Sequence, residues 1–178
     1  MAFSVNVDKS PQGFIDADII DLLDVLNKEG GDYETTSSCS GRITLMSGVK
    51  KGDAKWVYKT HDACDFLKVF EIVSGLGDDE VLRFMYEPFI VHIKCKNFEA
   101  ASSMLSILHT NGLKKSGMIS LKNLILELND TGRIETVLDN SLTKGYIERL
   151  CAEANRRLVS TKARIKKCEE LFFETKSL

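Results

Sequence analysis

The sequence lacks an excess of charge of either sign. Its 178 residues include 24 Lys and Arg against 26 Asp and Glu, for a formal net charge of −2. That balance excludes a strongly basic protein that coats nucleic acid without selection. No apolar run approaches the ~18 uncharged residues of a membrane helix. Residues 1–10 contain no basic segment followed by an apolar core, so we expect no secretory signal and predict a reducing, cytoplasmic compartment.

Cysteine and glycine motifs are also missing. The five cysteines form no Cys-x-x-Cys pair and are odd in number, unlike a disulfide framework or a zinc ribbon. We expect most of them to be buried as small hydrophobic residues. No Gly-x-x-x-x-Gly-Lys loop occurs, and Gly75-Leu76-Gly77 follows a predicted helix, whereas a Rossmann loop follows a strand.

What the sequence does have is the balance of a folded protein, with 43% hydrophobic and 28% charged residues. Chains of ~150 to 200 residues commonly form one domain, so we predict a single domain over residues 1–178. Basic residues exceed acidic ones in three blocks, by six to three in 36–68, five to one in 91–126 and nine to five in 141–178. These blocks are either ordinary solvated faces or one basic face folded together.

Hydrophobic periodicity predicts helices and strands in alternation. The predicted helices follow Ser10-Pro11, start near Asp62 with Ala63, Leu67 and Phe70 facing inward, follow Asn97, and start at Thr143. The predicted strands are 44–46, 56–59, 81–86, 89–95 and 121–128, the last forming a hairpin with 133–138. We therefore predict an α+β domain with a mixed or largely antiparallel sheet, flanking helices and a long C-terminal helix, and not a Rossmann-type fold.

The last helix carries an apolar stripe at spacings of four and three residues. Its members are Ile147, Cys151, Ala154, Leu158, Thr161, Ile165, Cys168 and Phe172. A helix of this length spans about 45 Å. The stripe is either the seam of a coiled-coil dimer or a face packed along a sheet. Ala154 and Thr161 are weak seam residues, which favours packing and a monomer.

Hydroxyl groups are concentrated from Thr35 to Arg42, in the run Thr-Thr-Ser-Ser-Cys-Ser-Gly-Arg. We predict a loop before a strand, whose donors, glycine and fixed positive charge suit a phosphate or a carboxylate. An ordinary turn is the alternative. Cys39 is also a candidate nucleophile, if Arg42 favours its thiolate and His61 or His92 acts as the base.

The single tryptophan lies in Lys55-Trp56-Val57-Tyr58-Lys59-Thr60-His61. Aromatic faces stack on bases while lysines contact phosphates, so this segment is a candidate platform for an unpaired nucleotide. The alternative is a strand that buries both Trp56 and Tyr58 in the core.

Two His-x-x-Cys pairs, His61 with Cys64 and His92 with Cys95, have a spacing that could indicate zinc ligands. The second pair lies in a predicted strand, where residues i and i+3 face opposite sides. No metal site is expected.

Together these segments resemble the wybutosine-synthesis methyltransferase family, the third enzyme of that pathway, which modifies phenylalanine tRNA. The resemblance rests on residues 35–43 and 55–61, on Glu87-Pro88-Phe89-Ile90-Val91-His92, on Gly112 and Ser116-Gly117, and on Ala154-Asn155. It runs through nearly the whole chain, and Ser-Ser-Cys-x-Gly-Arg is its most specific element.

The resemblance implies S-adenosylmethionine-dependent methylation of a ring nitrogen in the tricyclic wyosine precursor, at the purine 3′ of the phenylalanine tRNA anticodon. Such an in-line displacement needs alignment and a free lone pair, and no covalent enzyme intermediate. If the nitrogen bears a proton, a histidine can remove it. We expect His61 to be this base, with His92 as the second choice.

The resemblance also implies binding residues. Trp56 is expected to be a stacking surface, and Arg42 with Ser37 and Ser38 to bind an anion, either a tRNA phosphate or the methionine carboxylate. The other expected binding positions are Cys39, Gly41, Ser116 and Gly117. Two further classes stay open: a non-catalytic tRNA-binding accessory protein and a thiol enzyme dependent on Cys39.

Overall fold

The computed structural model describes residues 15–28, 30–48 and 52–175. By its internal contacts the chain divides into two compact units. The first comprises residues 1–40, 89–131 and 161–178, and the second comprises residues 41–88 and 132–160. Each unit contains one four-stranded antiparallel sheet, so the predicted α+β class with antiparallel pairing is confirmed, with two sheets in place of one.

The elements alternate along the chain as the periodicity predicts. In chain order they are a 3-10 turn (Ala17–Ile19), α1 (Ile20–Leu26), β1 (Tyr33–Cys39), β2 (Arg42–Ser47), β3 (Lys55–Thr60), α2 (Phe66–Ser74), β4 (Leu82–Glu87), β5 (Ile90–Cys95), α3 (Phe98–Thr110), β6 (Gly117–Ser120), β7 (Ile125–Asn129), β8 (Ile134–Leu138) and α4 (Lys144–Thr175). Ser10 and Pro11 lie outside the described residues, and within those residues the predicted first helix begins only at Ala17, because the backbone of Asp16 is extended.

The first unit orders its strands β1-β5-β7-β6. Helices α1 and α3 and the part of α4 from Thr161 onward pack on the face that holds Val91, Ile93, Leu126 and Leu128. Successive strand residues point to opposite faces, so the polar residues between these positions point away from the core.

The second unit orders its strands β3-β2-β4-β8. Helix α2 and the part of α4 up to Ser160 pack on the face that holds Ile43, Leu45, Phe84 and Tyr86. By the same alternation, Arg42 and Glu87, which lie directly opposite each other in the register of β2 and β4, point to the other face.

Helix α4 uses its apolar stripe within a single chain. All eight stripe residues are buried, each with at most 2% of its surface exposed. The interpretation of the stripe as a packed face is therefore confirmed. Thr161, the polar member, accepts a hydrogen bond on Oγ1 from the Phe89 backbone N–H at 3.2 Å, and its hydroxyl lies 3.5 Å from an Asp130 carboxylate oxygen.

Three local predictions are wrong. The residues from Thr35 to Cys39 form strand β1 and not a loop, because β1 pairs along its length with β5. The hairpin between 121–128 and 133–138 does not form, because β7 pairs with β5 and β6 while β8 pairs with β4. Helix α2 starts at Phe66, after its cap Asp65.

Helix α2 packs Phe70 against the core, as expected, but not Leu67. Val69 and Val73 are buried, whereas Leu67 is 53% exposed. The core-facing stripe consists of Phe66, Val69, Phe70 and Val73, at the i, i+3, i+4, i+7 spacing of one helix face, and Leu67 lies outside it.

Four of the five cysteines are buried, as predicted, and Cys39 is half-buried. Burial raises the pKa of the Cys95 thiol, and it raises the pKa of Cys168 to about 12. A hydrogen bond with Cys64, followed by burial, raises the pKa of Cys151. The thiols of Cys95, Cys151 and Cys168 are therefore suited to packing and not to nucleophilic chemistry. Among the described residues, no helix is long and apolar enough to cross a membrane.

Candidate functional site

A β-bulge in β1 aims Ser37 at the open face of the first sheet. Thr35 lies opposite Ile93 in the register, whereas Ser37 lies opposite His92, so Thr36 is an extra residue. In a regular strand Thr35 and Ser37 would share a face. The bulge turns Ser37 to the face of His92, away from the core.

Three adjacent strands then place Ser37, His92 and Glu127 side by side. Ser37 lies opposite His92, and His92 lies opposite Glu127. The Ser37 Oγ atom is 2.8 Å from His92 Nδ1, and His92 Nε2 is 3.2 Å from Glu127 Oε2. We call this arrangement the Ser37–His92–Glu127 row. It is accessible, since the His92 side chain is 30% exposed.

Asn129 and Gly117 lie next to Glu127, at one end of the row. Asn129 donates from Nδ2 to Glu127 Oε1 at 3.0 Å. Gly117 lies opposite Glu127 in the register, and a Cβ atom placed there would meet nothing within 4 Å. The row therefore has a held carboxylate at one end and open space beside it.

A second bulge, in β3, exposes the tryptophan. Tyr58 lies opposite Leu45 and packs against the core, whereas Trp56 lies opposite Met46, with Val57 as the extra residue. Trp56 is 44% exposed. The alternative that buries both aromatic residues in the core is wrong, because the bulge separates the faces that Trp56 and Tyr58 occupy.

Two cations lie close to the Trp56 ring. The Arg42 guanidinium carbon is 5.2 Å from the centre of the Trp56 ring, and Lys59 Nζ is 4.4 Å from it. Glu87 fixes Arg42 through a 2.7 Å contact between Arg42 Nε and Glu87 Oε2, and its other oxygen is 3.0 Å from Arg133 Nη2. We call Arg42, Trp56 and Lys59 the Arg42–Trp56 face. It offers an aromatic plane with positive charge beside it, which suits a base and its phosphate.

The other expected binding residues are dispersed. Ser38 lies opposite the buried Val91, so it points to the side opposite Ser37. Gly41 has a φ of 100°, a conformation that favours glycine. Ser116 is buried, and its hydroxyl accepts a hydrogen bond from the Asn129 backbone at 3.2 Å. His61 is half-buried in the bend after β3.

Cys39 and His92 do not pair. Both ring nitrogens of His92 are within hydrogen-bond distance of Ser37 and Glu127. The Cys39 sulfur is within 4.8 Å of an Asp16 carboxylate oxygen. His92 and Cys95 point to opposite faces of β5, as expected, because Cys95 is buried in the core.

Sequence reasoning missed Glu127 and Glu87. Glu127 alternates with Leu126 and Leu128, so a charged residue in an apolar strand was the available signal. Glu87 begins the motif that ends at His92, but its contact with Arg42 depends on the cross-strand register and was not predicted.

These features define a small α+β protein outside the Rossmann class, with a serine–histidine–carboxylate row and a cation-flanked tryptophan. The family model described as Methyltransferase TYW3 matches residues 2–174. The chain belongs to this methyltransferase family, so the resemblance identified from the motifs is confirmed.

The relatives and solved structures cover most of this chain. A mouse protein named "tRNA wybutosine-synthesizing protein 3 homolog" is 32% identical over 170 residues, which is 89% of this chain and 65% of the mouse protein. An Archaeoglobus fulgidus protein named "tRNA(Phe) 7-((3-amino-3-carboxypropyl)-4-demethylwyosine(37)-N(4))-methyltransferase" is 32% identical over 163 residues, which is 88% of this chain and 82% of that protein. A solved Pyrococcus horikoshii structure has a TM-score of 0.78 at 30% identity, covering 90% of this chain and 87% of that one.

This chain is shorter than several of its relatives. It spans just under two thirds of the mouse protein, and 17% of a rice protein named "tRNA wybutosine-synthesizing protein 2/3/4".

Proposed function

We propose that this protein methylates a ring nitrogen of the tricyclic wyosine precursor in phenylalanine tRNA, at the purine 3′ of the anticodon, with S-adenosylmethionine as the methyl donor. The name of the Archaeoglobus relative supports the substrate and the nitrogen. The observation that carries the proposal is the Ser37–His92–Glu127 row, because a nitrogen that bears a proton must lose it when it is methylated. The cytoplasm is the proposed compartment.

His92 is the proposed proton acceptor, ahead of His61. Its ring nitrogens have defined partners at 2.8 Å and 3.2 Å. A base held between a hydroxyl and a carboxylate has a fixed orientation, and the carboxylate stabilises the imidazolium that forms. His61 is kept as the alternative base, and the two are separated by substitution.

The open face of the first sheet fits a sulfonium methyl donor. The open space beside Gly117 leaves room for the donor next to the row. We assign Gly117 to the donor side of the site. Bound S-adenosylmethionine would supply an electrophilic methyl group on a sulfur that leaves as a neutral thioether. The chain's own task is to align the nitrogen and accept its proton.

The Arg42–Trp56 face is proposed to hold the tRNA. A base stacked on Trp56 would place its phosphate near Arg42 and Lys59, which lie 5.2 Å and 4.4 Å from the ring. Arg42 keeps donors on its terminal nitrogens, because the hydrogen bond to Glu87 uses Nε. Because these donors lie next to the ring proposed to stack a base, we assign the anion as a tRNA phosphate.

The proposal is tested with labelled S-adenosylmethionine and tRNA from a strain that lacks this step, followed by mass analysis of the nucleosides. We expect the parent protein to add one methyl group to the modified purine. His92→Ala should lower kcat by about 10²- to 10⁴-fold, the usual contribution of a general base. Glu34→Gln, on the same sheet and 64% exposed, is the matched control and should keep the parent rate.

Three outcomes would contradict parts of this proposal. A parent protein that binds the tRNA and transfers no methyl group would be an accessory protein. A loss confined to His61→Ala would move the base to His61. A complete loss in Cys39→Ser would favour a thiol enzyme.

A further inference from the structure

We infer that Glu127 is a positioning residue that sets the tautomer of His92, and that Ser37 is the group through which the substrate nitrogen loses its proton. This inference rests on the proposed methyl transfer. It makes Glu127 the residue that fixes the protonation of His92, and it makes Ser37 a proton carrier in place of the anion binder expected from the sequence.

The protonation of the row is determined by the groups that each partner can donate. A carboxylate only accepts hydrogen bonds, so the 3.2 Å contact between His92 Nε2 and Glu127 Oε2 requires the proton on Nε2. In a neutral imidazole the other nitrogen, Nδ1, is then an acceptor. The 2.8 Å contact at Nδ1 is therefore donated by the Ser37 hydroxyl.

The Glu127 carboxylate is held in the position that this protonation requires. The register of β5 and β7 places Glu127 directly opposite His92. Asn129 donates to Oε1 at 3.0 Å, which leaves Oε2 for the histidine. The Glu127 side chain is 26% exposed, so solvent screens its charge only in part. Its neighbours Leu126 and Leu128 are buried and anchor β7.

In this protonation state the row can carry a proton from the substrate through Ser37 to His92. The substrate N–H gives its proton to a lone pair of Ser37 Oγ as the Ser37 hydroxyl gives its own proton to His92 Nδ1. The electron pair left on the substrate nitrogen forms the new bond to the methyl carbon. Ser37 ends as a neutral hydroxyl, and His92 ends as an imidazolium opposite the Glu127 carboxylate, so charge and protons balance.

Glu127→Gln tests the positioning role, because glutamine keeps the size and can donate its amide N–H to Nε2. Nitrogen-15 spectra of the ring, without any ligand, should report Nε2–H in the parent and a gain of the Nδ1–H tautomer in the variant. The chain has three histidines, so the signals of His92 are identified by their loss in His92→Ala. We expect kcat to fall about 10²- to 10⁴-fold, with KM for tRNA and donor within about twofold.

Controls separate this inference from the proposed function. Glu34→Gln should change neither the tautomer nor kcat. A parent that carries the proton on Nδ1, or a Glu127→Gln variant that keeps the parent kcat, overturns the positioning role even when methyl transfer is established. A parent that transfers no methyl group overturns the proposed function and the proton path through Ser37, whereas the tautomer, read without substrate, still decides the positioning of His92 by Glu127.

Ser37→Ala tests the proton path. It removes the hydroxyl while leaving the contact between His92 and Glu127, so we expect kcat to fall about 10- to 100-fold with donor affinity unchanged. Ser103→Ala, on the exposed side of α3, is the matched serine control. A fall in donor affinity with unchanged kcat would return Ser37 to a binding role and overturn the path.

Discussion

At the scale of the residue, two bulges decide which side chains are available for chemistry. One turns Ser37 toward His92, and the other turns Trp56 away from Tyr58 and the core. Each bulge adds one residue to its strand and reverses the face on which the neighbouring side chains lie. Chemistry at both places therefore depends on a backbone irregularity and not only on residue type.

The exposed tryptophan gives the first residue-scale prediction. Trp56→Ala should weaken binding of an anticodon stem-loop by about 1–3 kcal/mol, or about 5- to 150-fold, because a stacked base loses its aromatic partner. Trp56→Phe keeps a smaller ring and should lose less. Since Trp56 is the single tryptophan, its fluorescence in the parent should change on binding.

Phe98→Ala is the aromatic control for this measurement. Phe98 is 61% exposed at the start of α3, so its removal should leave the affinity unchanged. Equal affinity of the parent and Trp56→Ala would show that the Arg42–Trp56 face does not bind the tRNA. A loss of S-adenosylmethionine affinity with unchanged tRNA affinity would assign the face to the donor.

The sequence predicts the members of these sites better than their arrangement. The aromatic ring, the basic side chains and the hydroxyls are visible as residue types between Thr35 and His61. The extra residues at Thr36 and Val57 depend on the register with β5 and β2, which involves long-range pairing. No local pattern at these positions distinguishes a bulge from a regular strand, so the faces of Ser37 and Trp56 were not predictable.

At the scale of the element, one buried polar residue of helix α4 stabilises the fold by accepting a hydrogen bond. Thr161 is 1% exposed and accepts the hydrogen bond of the Phe89 backbone N–H. Thr161→Val keeps the shape and leaves this N–H without an acceptor. We expect a loss of about 1–3 kcal/mol in the free energy of unfolding, measured by urea denaturation.

Ser160→Ala is the neighbouring control, because Ser160 is exposed on the same helix. It should change the free energy of unfolding by at most about 0.5 kcal/mol. A Thr161→Val variant as stable as the parent would mean that water or a shift of α4 satisfies the Phe89 N–H, and that the hydroxyl is not structurally required.

Elements with local signals were predicted, and elements set by distant partners were not. Asn97 caps α3 through a 2.8 Å hydrogen bond to the Ala100 N–H, as its position before the apolar stripe predicts. Thr143 likewise accepts a hydrogen bond from Tyr146 at the start of α4. The predicted hairpin assumed that β7 and β8 pair because they are adjacent in sequence, whereas β8 pairs with β4.

At the scale of the whole molecule, the chain passes between its two units four times, after Ser40, Pro88, Thr131 and Ser160. Gly132, the first residue after the third crossing, has a φ of 101°, which an L side chain adopts only with strain. Neighbouring strands such as β4 and β5 thus belong to different sheets. A pattern read along the chain identifies each strand and does not reveal that the strands divide into two sheets.

Net charge is a second property of the whole molecule, and it bears on how tRNA binding depends on salt. A chain with a net charge of −2 binds a polyanion only through a local concentration of cations, such as the Arg42–Trp56 face. Each phosphate contact releases counterions, so the logarithm of the association constant should fall linearly with the logarithm of salt concentration.

Lys59→Gln removes one cation from the Arg42–Trp56 face and should reduce the slope of this dependence by about 0.7 to 1. Lys162→Gln is the control, because Lys162 Nζ is already 2.7 Å from Asp18 Oδ2 and its loss should leave the slope unchanged. Titration of anticodon stem-loop at several salt concentrations measures both, and a flat dependence in the parent would contradict a basic tRNA-binding face.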